Sequence, residues 1–193
     1  MKILLPLLVM LLGGCAYQSP SSSFYVLSAR AQAVQPVQPG LLLGVGPVNL
    51  ADYLDRSQIV RRNSDVSLKM DEFHRWAGDH GKNITTVLAE DLARILGSER
   101  VLPYPWSSSL DLDYQVLVDI NRFDAAPDNL IVLDAQWQLF RKHPDRLLQV
   151  KLSHIETRAA DDSHEAQVEA QSQALAQLGE IIAAALKSAA GND

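Results

Sequence analysis

The strongest constraint on the fold of this chain is a stretch of alternating apolar and polar residues in its second half. Residues 112–120 place apolar side chains at every second position, and residues 131–139 and 148–152 repeat this pattern. A period of two places these side chains on one face of a β-strand. The turns between the stretches, at 126–129 and 143–145, each contain a proline. The sequence therefore predicts an antiparallel meander of three strands with one buried face.

Two other segments repeat apolar residues at helical spacing. Residues 82–96 form one of them and are followed by Gly97, a frequent helix terminator, and residues 163–188 form the other. Shorter apolar segments predict four further strands: 24–27, 41–48, 58–61 and 66–70. Together these patterns predict an α+β fold, with a single mixed, largely antiparallel sheet and two long helices packed on one face.

The N-terminus carries a short apolar run before the only cysteine of the chain. Residues 3–12 are apolar and follow Lys2, and Gly13-Gly14-Cys15 comes directly after. The run is shorter than the about 20 residues that span a bilayer, and it has the length of a signal peptide, roughly 7–15 residues. Residues 12–15 resemble the bacterial lipobox, in which the cysteine is lipidated and becomes the mature N-terminus. A cleaved signal peptide with a coincidental cysteine, or a short buried helix, is the alternative.

Lipidation of Cys15 would divide the chain into three parts. These are a signal peptide at 1–14, a lipidated tether at 15–23 and one domain at 24–193. A diacylglycerol and an N-acyl chain on Cys15 exceed the two anchoring signals that stable membrane attachment requires. In Gram-negative lipoproteins an aspartate after the cysteine commonly marks retention in the inner membrane. Ala16 therefore predicts an anchor in the outer membrane, on its periplasmic face.

The composition and the motifs argue against several classes of function. The chain has 17 basic and 23 acidic residues and a net charge of −6, which disfavours nucleic acid as the main partner. The sequence contains no GxSxG, no P-loop, no GxGxxG and no HExxH motif. We therefore predict no catalytic residue, no enzyme activity and no cofactor beyond the acyl chains on Cys15.

A polar segment at 70–80, MDEFHRWAGDH, is the most reactive-looking part of the sequence. Its two histidines, His74 and His80, stand among three acidic residues and suggest a metal site. Their spacing of six fits neither one face of a helix nor a known zinc pattern. An exposed loop before the helix, with Asp79 capping the helix start, explains the same residues. We therefore predict no metal site here.

Large apolar residues also occur outside the predicted elements, near two arginines. One interpretation is that these segments fold back over an edge of the core. The other is a partner or subunit interface, because aromatic residues and arginine are favoured interface anchors. The sequence alone does not decide between these two interpretations. The candidate interface residues are Tyr53, Leu54, Arg56, Phe73, Arg75 and Trp76.

Several of these segments resemble a known family, the PqiC-type ABC-transport auxiliary lipoproteins, also described as membrane integrity-associated transporter subunits. The most specific piece is GVGPVNLADYLDRSQIV at 44–60, because this order of residues has no generic structural reason to recur. The other matching pieces are 24–27, 73–77, 130–139 and the closing helix. The resemblance covers essentially the whole mature chain, and it brings over no catalytic residue.

The resemblance implies a non-enzymatic component of an intermembrane transport system. Such a lipoprotein would work with an inner-membrane protein containing MCE domains, and with either an ABC permease and ATPase or a multispanning membrane partner. It would form a homo-oligomeric ring, and the system would move phospholipids or other hydrophobic molecules across the periplasm. The alternative is a stand-alone periplasmic lipoprotein that binds a lipid or other ligand between its sheet and helices.

Overall fold

A computed structural model describes residues 21–33 and 41–191 of the chain. The predicted signal peptide, Cys15 and Ala16 lie outside these ranges. The described residues form the α+β fold that the sequence predicts, with eight strands in one sheet and two long helices. The elements are β1 (Ser23–Tyr25), β2 (Leu43–Leu50), β3 (Gln58–Ser64), β4 (Ser67–Trp76), α1 (His80–Leu96), β5 (Val101–Pro103), β6 (Tyr114–Ala125), β7 (Leu130–Lys142), β8 (Asp145–Arg158) and α2 (His164–Ala190).

The predicted meander is confirmed and forms one half of the sheet. Strands β6, β7 and β8 pair in antiparallel fashion over most of their length. On the other edge of β6, β2 pairs in parallel from Tyr114 to Ile120, and β3 meets β6 at Ala125. Strand β5 flanks β2, while β4 and then β1 follow β3. Strands β1 and β8 therefore lie at opposite ends of the sheet.

Both predicted helices are confirmed, together with their termini. Asp79 caps α1 by accepting a hydrogen bond from the Lys82 amide, and Gly97 ends the helix with a φ of 59°. Ser163 caps α2 in the same way through the Ala166 amide. The apolar faces of both helices pack on the sheet face that carries the alternating apolar residues of the meander. That face includes Trp137, which is fully buried and donates to Ser153.

The loop predicted over 70–80 is wrong for residues 71–76, because these residues continue the predicted strand at 66–70 as part of β4. The strand pairs with β3 along its first part, and its last three residues pair in parallel with β1. The register with β3 shifts between Asp71 and Arg75, so the pattern of period two is interrupted there. This irregular, partly exposed edge of the sheet explains why the sequence shows no clear strand signal.

Candidate functional site

The structure separates the six candidate interface residues into core and surface. Leu54 and Trp76 are only 4% and 6% exposed, and the Trp76 ring stacks on the His80 ring at 4.0 Å between centroids. His80 is itself buried, and this burial lowers its pKa to about 3. Leu54 and Trp76 therefore belong to the core of the domain and are not available to a partner.

Tyr53 takes part in a buried polar network around Asp124. The Tyr53 hydroxyl donates to Asp124 Oδ2 at 2.9 Å, and Arg62 and Arg122 each form an ion pair with this carboxylate at 3.0 Å. Asp124 is fully buried, so these donors satisfy a charge that would otherwise be costly. Burial and the neighbouring carboxylate raise the pKa of Tyr53 to about 12. Tyr53 thus fixes the segment after β2 to the end of β6.

The remaining candidates lie on an exposed region that we call the edge surface. It consists of three exposed apolar side chains and the two candidate arginines, at the β1 end of the sheet. Arg56 donates to the Met70 sulfur at 2.8 Å, and Arg75 donates to the Glu72 carbonyl at 2.9 Å. Its three apolar side chains are Phe24, Met70 and Phe73, which are exposed by 64%, 42% and 42%. The sequence missed Phe24 and Met70, because both were assigned to strands and their direction could not be inferred.

The two histidines of the 70–80 segment do not meet. His80 faces the core, whereas the His74 ring stacks on the ring of His164 with a centroid distance of 3.7 Å. His164 is the first residue of α2 and lies 3.2 Å from the carboxylate of Asp71. Burial, and then the adjacent His74 ring, lower the pKa of His164. The sequence could not indicate this pair, because tertiary packing alone brings β4 to the start of α2.

A small apolar cavity lies at the far end of the two helices. It has a volume of about 190 Å³, and its wall includes Leu96, Val101, Leu186 and Lys187. Among the helices of the described ranges, 21–33 and 41–191, none is long and apolar enough to cross a membrane.

One mixed sheet with two helices on a single face defines the domain as a two-layer α+β fold. A family model, described as ABC-type transport auxiliary lipoprotein component, matches residues 25–183. The chain belongs to this family. The match begins at the last residue of β1 and ends within α2, so it covers strands β2 to β8, helix α1 and most of α2.

Solved structures share this fold. A crystal structure of an uncharacterized protein has a TM-score of 0.72 and 23% identity, over 86% of this chain and 99% of that chain. A protein from Xanthomonas campestris has a TM-score of 0.73 and 17% identity, over 89% of this chain and 98% of its own. At these identities the likeness concerns the fold alone. A comparison with curated proteins finds no match.

Proposed function

We propose that this chain is an outer-membrane-anchored, non-enzymatic docking subunit of an MCE-type transport system that moves phospholipids or other hydrophobic molecules across the periplasm. The observation that carries the proposal is the family match over residues 25–183, which makes the chain an auxiliary lipoprotein of ABC-type transport. The lipobox-like residues before Cys15 add an anchor. The partners would be an inner-membrane MCE-domain protein, a permease with its ATPase or a multispanning protein, and further copies of this chain in a ring.

The edge surface is the part of the domain best suited to docking. Exposed Phe24, Met70 and Phe73 stand beside two arginines, a composition that is typical of interface centres. Strand β1 lies at the end of the sheet and begins at Ser23, the last residue of the predicted tether at 15–23. Seven residues, 16–22, separate Cys15 from β1 and reach at most about 25 Å, so an anchor on Cys15 would hold this surface near the membrane.

We predict that Phe73→Ala weakens association with the partner or the neighbouring subunit. Truncation of an apolar interface anchor costs about 2 kcal/mol, or roughly 30-fold in affinity. The measurement is a crosslinked pull-down from membranes, with mass spectrometry of the partners, followed by size-exclusion chromatography of the purified lipoprotein. Phe73 is 42% exposed, so the melting temperature of the variant should change little.

A matched control lies at the opposite end of the sheet. Leu152 on β8 is 66% exposed, so Leu152→Ala removes a comparable apolar surface far from the edge surface. We expect the Leu152 variant to associate with its partners as wild type does. If the Phe73 variant associated with every partner as strongly as wild type does, the edge surface would not be the contact.

The anchor leads to a second prediction. Replacement of Cys15 by Ala should abolish acylation and leave an unprocessed precursor, because the thiol is the group that receives the diacylglycerol. Metabolic labelling with a palmitate analogue, followed by fractionation of the two membranes, measures both lipidation and sorting. A variant with unchanged label incorporation would contradict the lipobox assignment.

The alternative, a stand-alone lipid- or ligand-binding lipoprotein, has one observation in its favour. The cavity beside Leu96 and Leu186 is apolar, and Lys187 at its wall offers a cation for a carboxylate or phosphate. Its volume of about 190 Å³ is below the about 300–1,000 Å³ of typical ligand sites. Such a cavity holds only part of an acyl chain, so the docking function is better supported. A purified monomer that carries bound lipid would favour the alternative.

A further inference from the structure

Three potential metal ligands meet where β4 packs against the start of α2. Asp71, His74 and His164 each offer one ligand atom, and these atoms all lie within 4.8 Å of one another. The two imidazole rings are parallel, with an interplanar angle of 3°, and His164 Nε2 lies 3.2 Å from Asp71 Oδ2. All three side chains are partly buried, so the cluster is shielded from bulk water.

The cluster contains a buried polar atom without a hydrogen bond. His164 Nε2 is inaccessible to solvent, and its orientation toward Asp71 does not meet the geometry of a hydrogen bond. Buried polar atoms are nearly always paired in native proteins, so such an atom needs an explanation. A metal ion between His164 and Asp71 would supply the missing partner of the nitrogen and would neutralise the carboxylate.

His74 is held in a way that is typical of a metal-binding histidine. Its Nδ1 lies 2.7 Å from the Tyr25 hydroxyl, which in turn donates to Glu165 Oε1 at 3.4 Å. This short contact holds the His74 ring in place, whichever of the two atoms donates the proton. A hydrogen-bonded partner that holds the ring in this manner accompanies most histidine ligands.

We propose that Asp71, His74 and His164 form a binding site for a divalent transition metal ion of the Zn²⁺ class. Two imidazoles and a carboxylate are ligands that Zn²⁺ accepts, and three protein ligands leave a fourth position open. This proposal departs from the expectation drawn from the sequence, because His164 replaces His80 as the partner of His74. A bound ion would join the β1–β4 end of the sheet to α2.

Metal binding requires a small rearrangement of the cluster. Ligand bonds of about 2.0–2.1 Å place tetrahedral ligand atoms roughly 3.4 Å apart. His164 Nε2 and Asp71 Oδ2 are already 3.2 Å apart, whereas ligand atoms of this cluster up to 4.8 Å apart must move closer together. Because the imidazole rings are parallel, one ring must also turn for both lone pairs to point at a single ion. Because the contact with the Tyr25 hydroxyl holds the His74 ring, the turn falls to the His164 ring.

The test uses the full-length lipoprotein in detergent, stripped with EDTA and titrated with ZnCl₂ by calorimetry at neutral pH. We expect one Zn²⁺ per chain, and a melting temperature raised by about 5–10 °C when free Zn²⁺ is 100 times its Kd. His74→Gln and His164→Gln should each weaken binding at least tenfold. Tyr25→Phe removes the partner of His74 Nδ1 and should weaken it about tenfold without abolishing it.

His154 provides the matched control, because it is an exposed imidazole that also contacts two carboxylates, Asp134 and Glu156. His154→Gln should bind Zn²⁺ as wild type does. The proposal is overturned if wild type binds no Zn²⁺, or if His74→Gln and His164→Gln bind it unchanged. If a histidine variant does not fold, Asp71→Asn takes its place, and unchanged Zn²⁺ binding by that variant would equally overturn the proposal.

Discussion

Replacement of Trp76 by Ala is expected to lower the free energy of unfolding by about 3–5 kcal/mol, the usual cost of removing a packed tryptophan. The side chain is 6% exposed and stacks on the buried ring of His80 at 4.0 Å, so its removal leaves a cavity between β4 and α1. For a chain of this size the loss corresponds to a melting temperature lower by roughly 6–20 °C. Thermal unfolding followed by circular dichroism measures it.

Phe73 serves as the control for this experiment, because it lies three positions before Trp76 on the same strand but is 42% exposed. Phe73→Ala should change the free energy of unfolding by about 0.5 kcal/mol or less. The two variants thus separate a core role from a surface role on one strand. If Trp76→Ala melted like wild type and instead lost its partners, the assignment of Trp76 to the core would be wrong.

The sequence predicted those elements whose local pattern agrees with their place in the fold. Strands β6 and β7 each have one face against the helices, so apolar residues recur at every second position, as in Val116, Val118 and Ile120. Helix α1 has an apolar stripe, a capping aspartate and a terminal glycine in the left-handed conformation. In these segments only one face of the strand or helix is buried. The spacing of the apolar residues is therefore sufficient to identify the element.

The sequence did not predict how the remaining strands pair. Strands β2 and β3 share one edge of β6 in parallel, and β1 and β5 have only three residues each. Parallel pairing over long connections leaves no local signal, and three residues cannot show a period. In β4 the change of register between Asp71 and Arg75 interrupts the alternation. These parts of the sheet depend on tertiary contacts.

The candidate site was predicted only in part, for a related reason. The hydrophobicity of Leu54, Phe73 and Trp76 is evident from the sequence, but the direction of each side chain is not. The structure turns Trp76 into the core and leaves Phe73 exposed. The pairing of His74 with His164 joins a strand to a helix much later in the chain. Residues that are far apart in the sequence and meet only in the folded chain cannot be identified as one site from their spacing in the sequence.

Asp124 is the second residue whose replacement should have a large effect, although the alternating pattern of β6 gave no indication of it. Asp124→Ala is expected to lower the free energy of unfolding by about 3 kcal/mol. The change leaves Arg62 and Arg122 without their buried counter-charge, which costs about 3–5 kcal/mol when both partners are fully buried. These arginine side chains remain 18% and 28% exposed, so water recovers part of the loss and the lower end of the range applies.

Tyr53→Phe provides the graded comparison, because it removes one donor to Asp124 and keeps the ring against Arg62. Its cost should be about 1.5–3 kcal/mol, the net value of a hydrogen bond to a charged group. Urea unfolding of both single variants and of the double variant measures the coupling. Because the hydroxyl acts through Asp124, the double variant should be hardly less stable than Asp124→Ala alone. Full additivity of the two effects would show that Tyr53 stabilises the fold independently of this carboxylate.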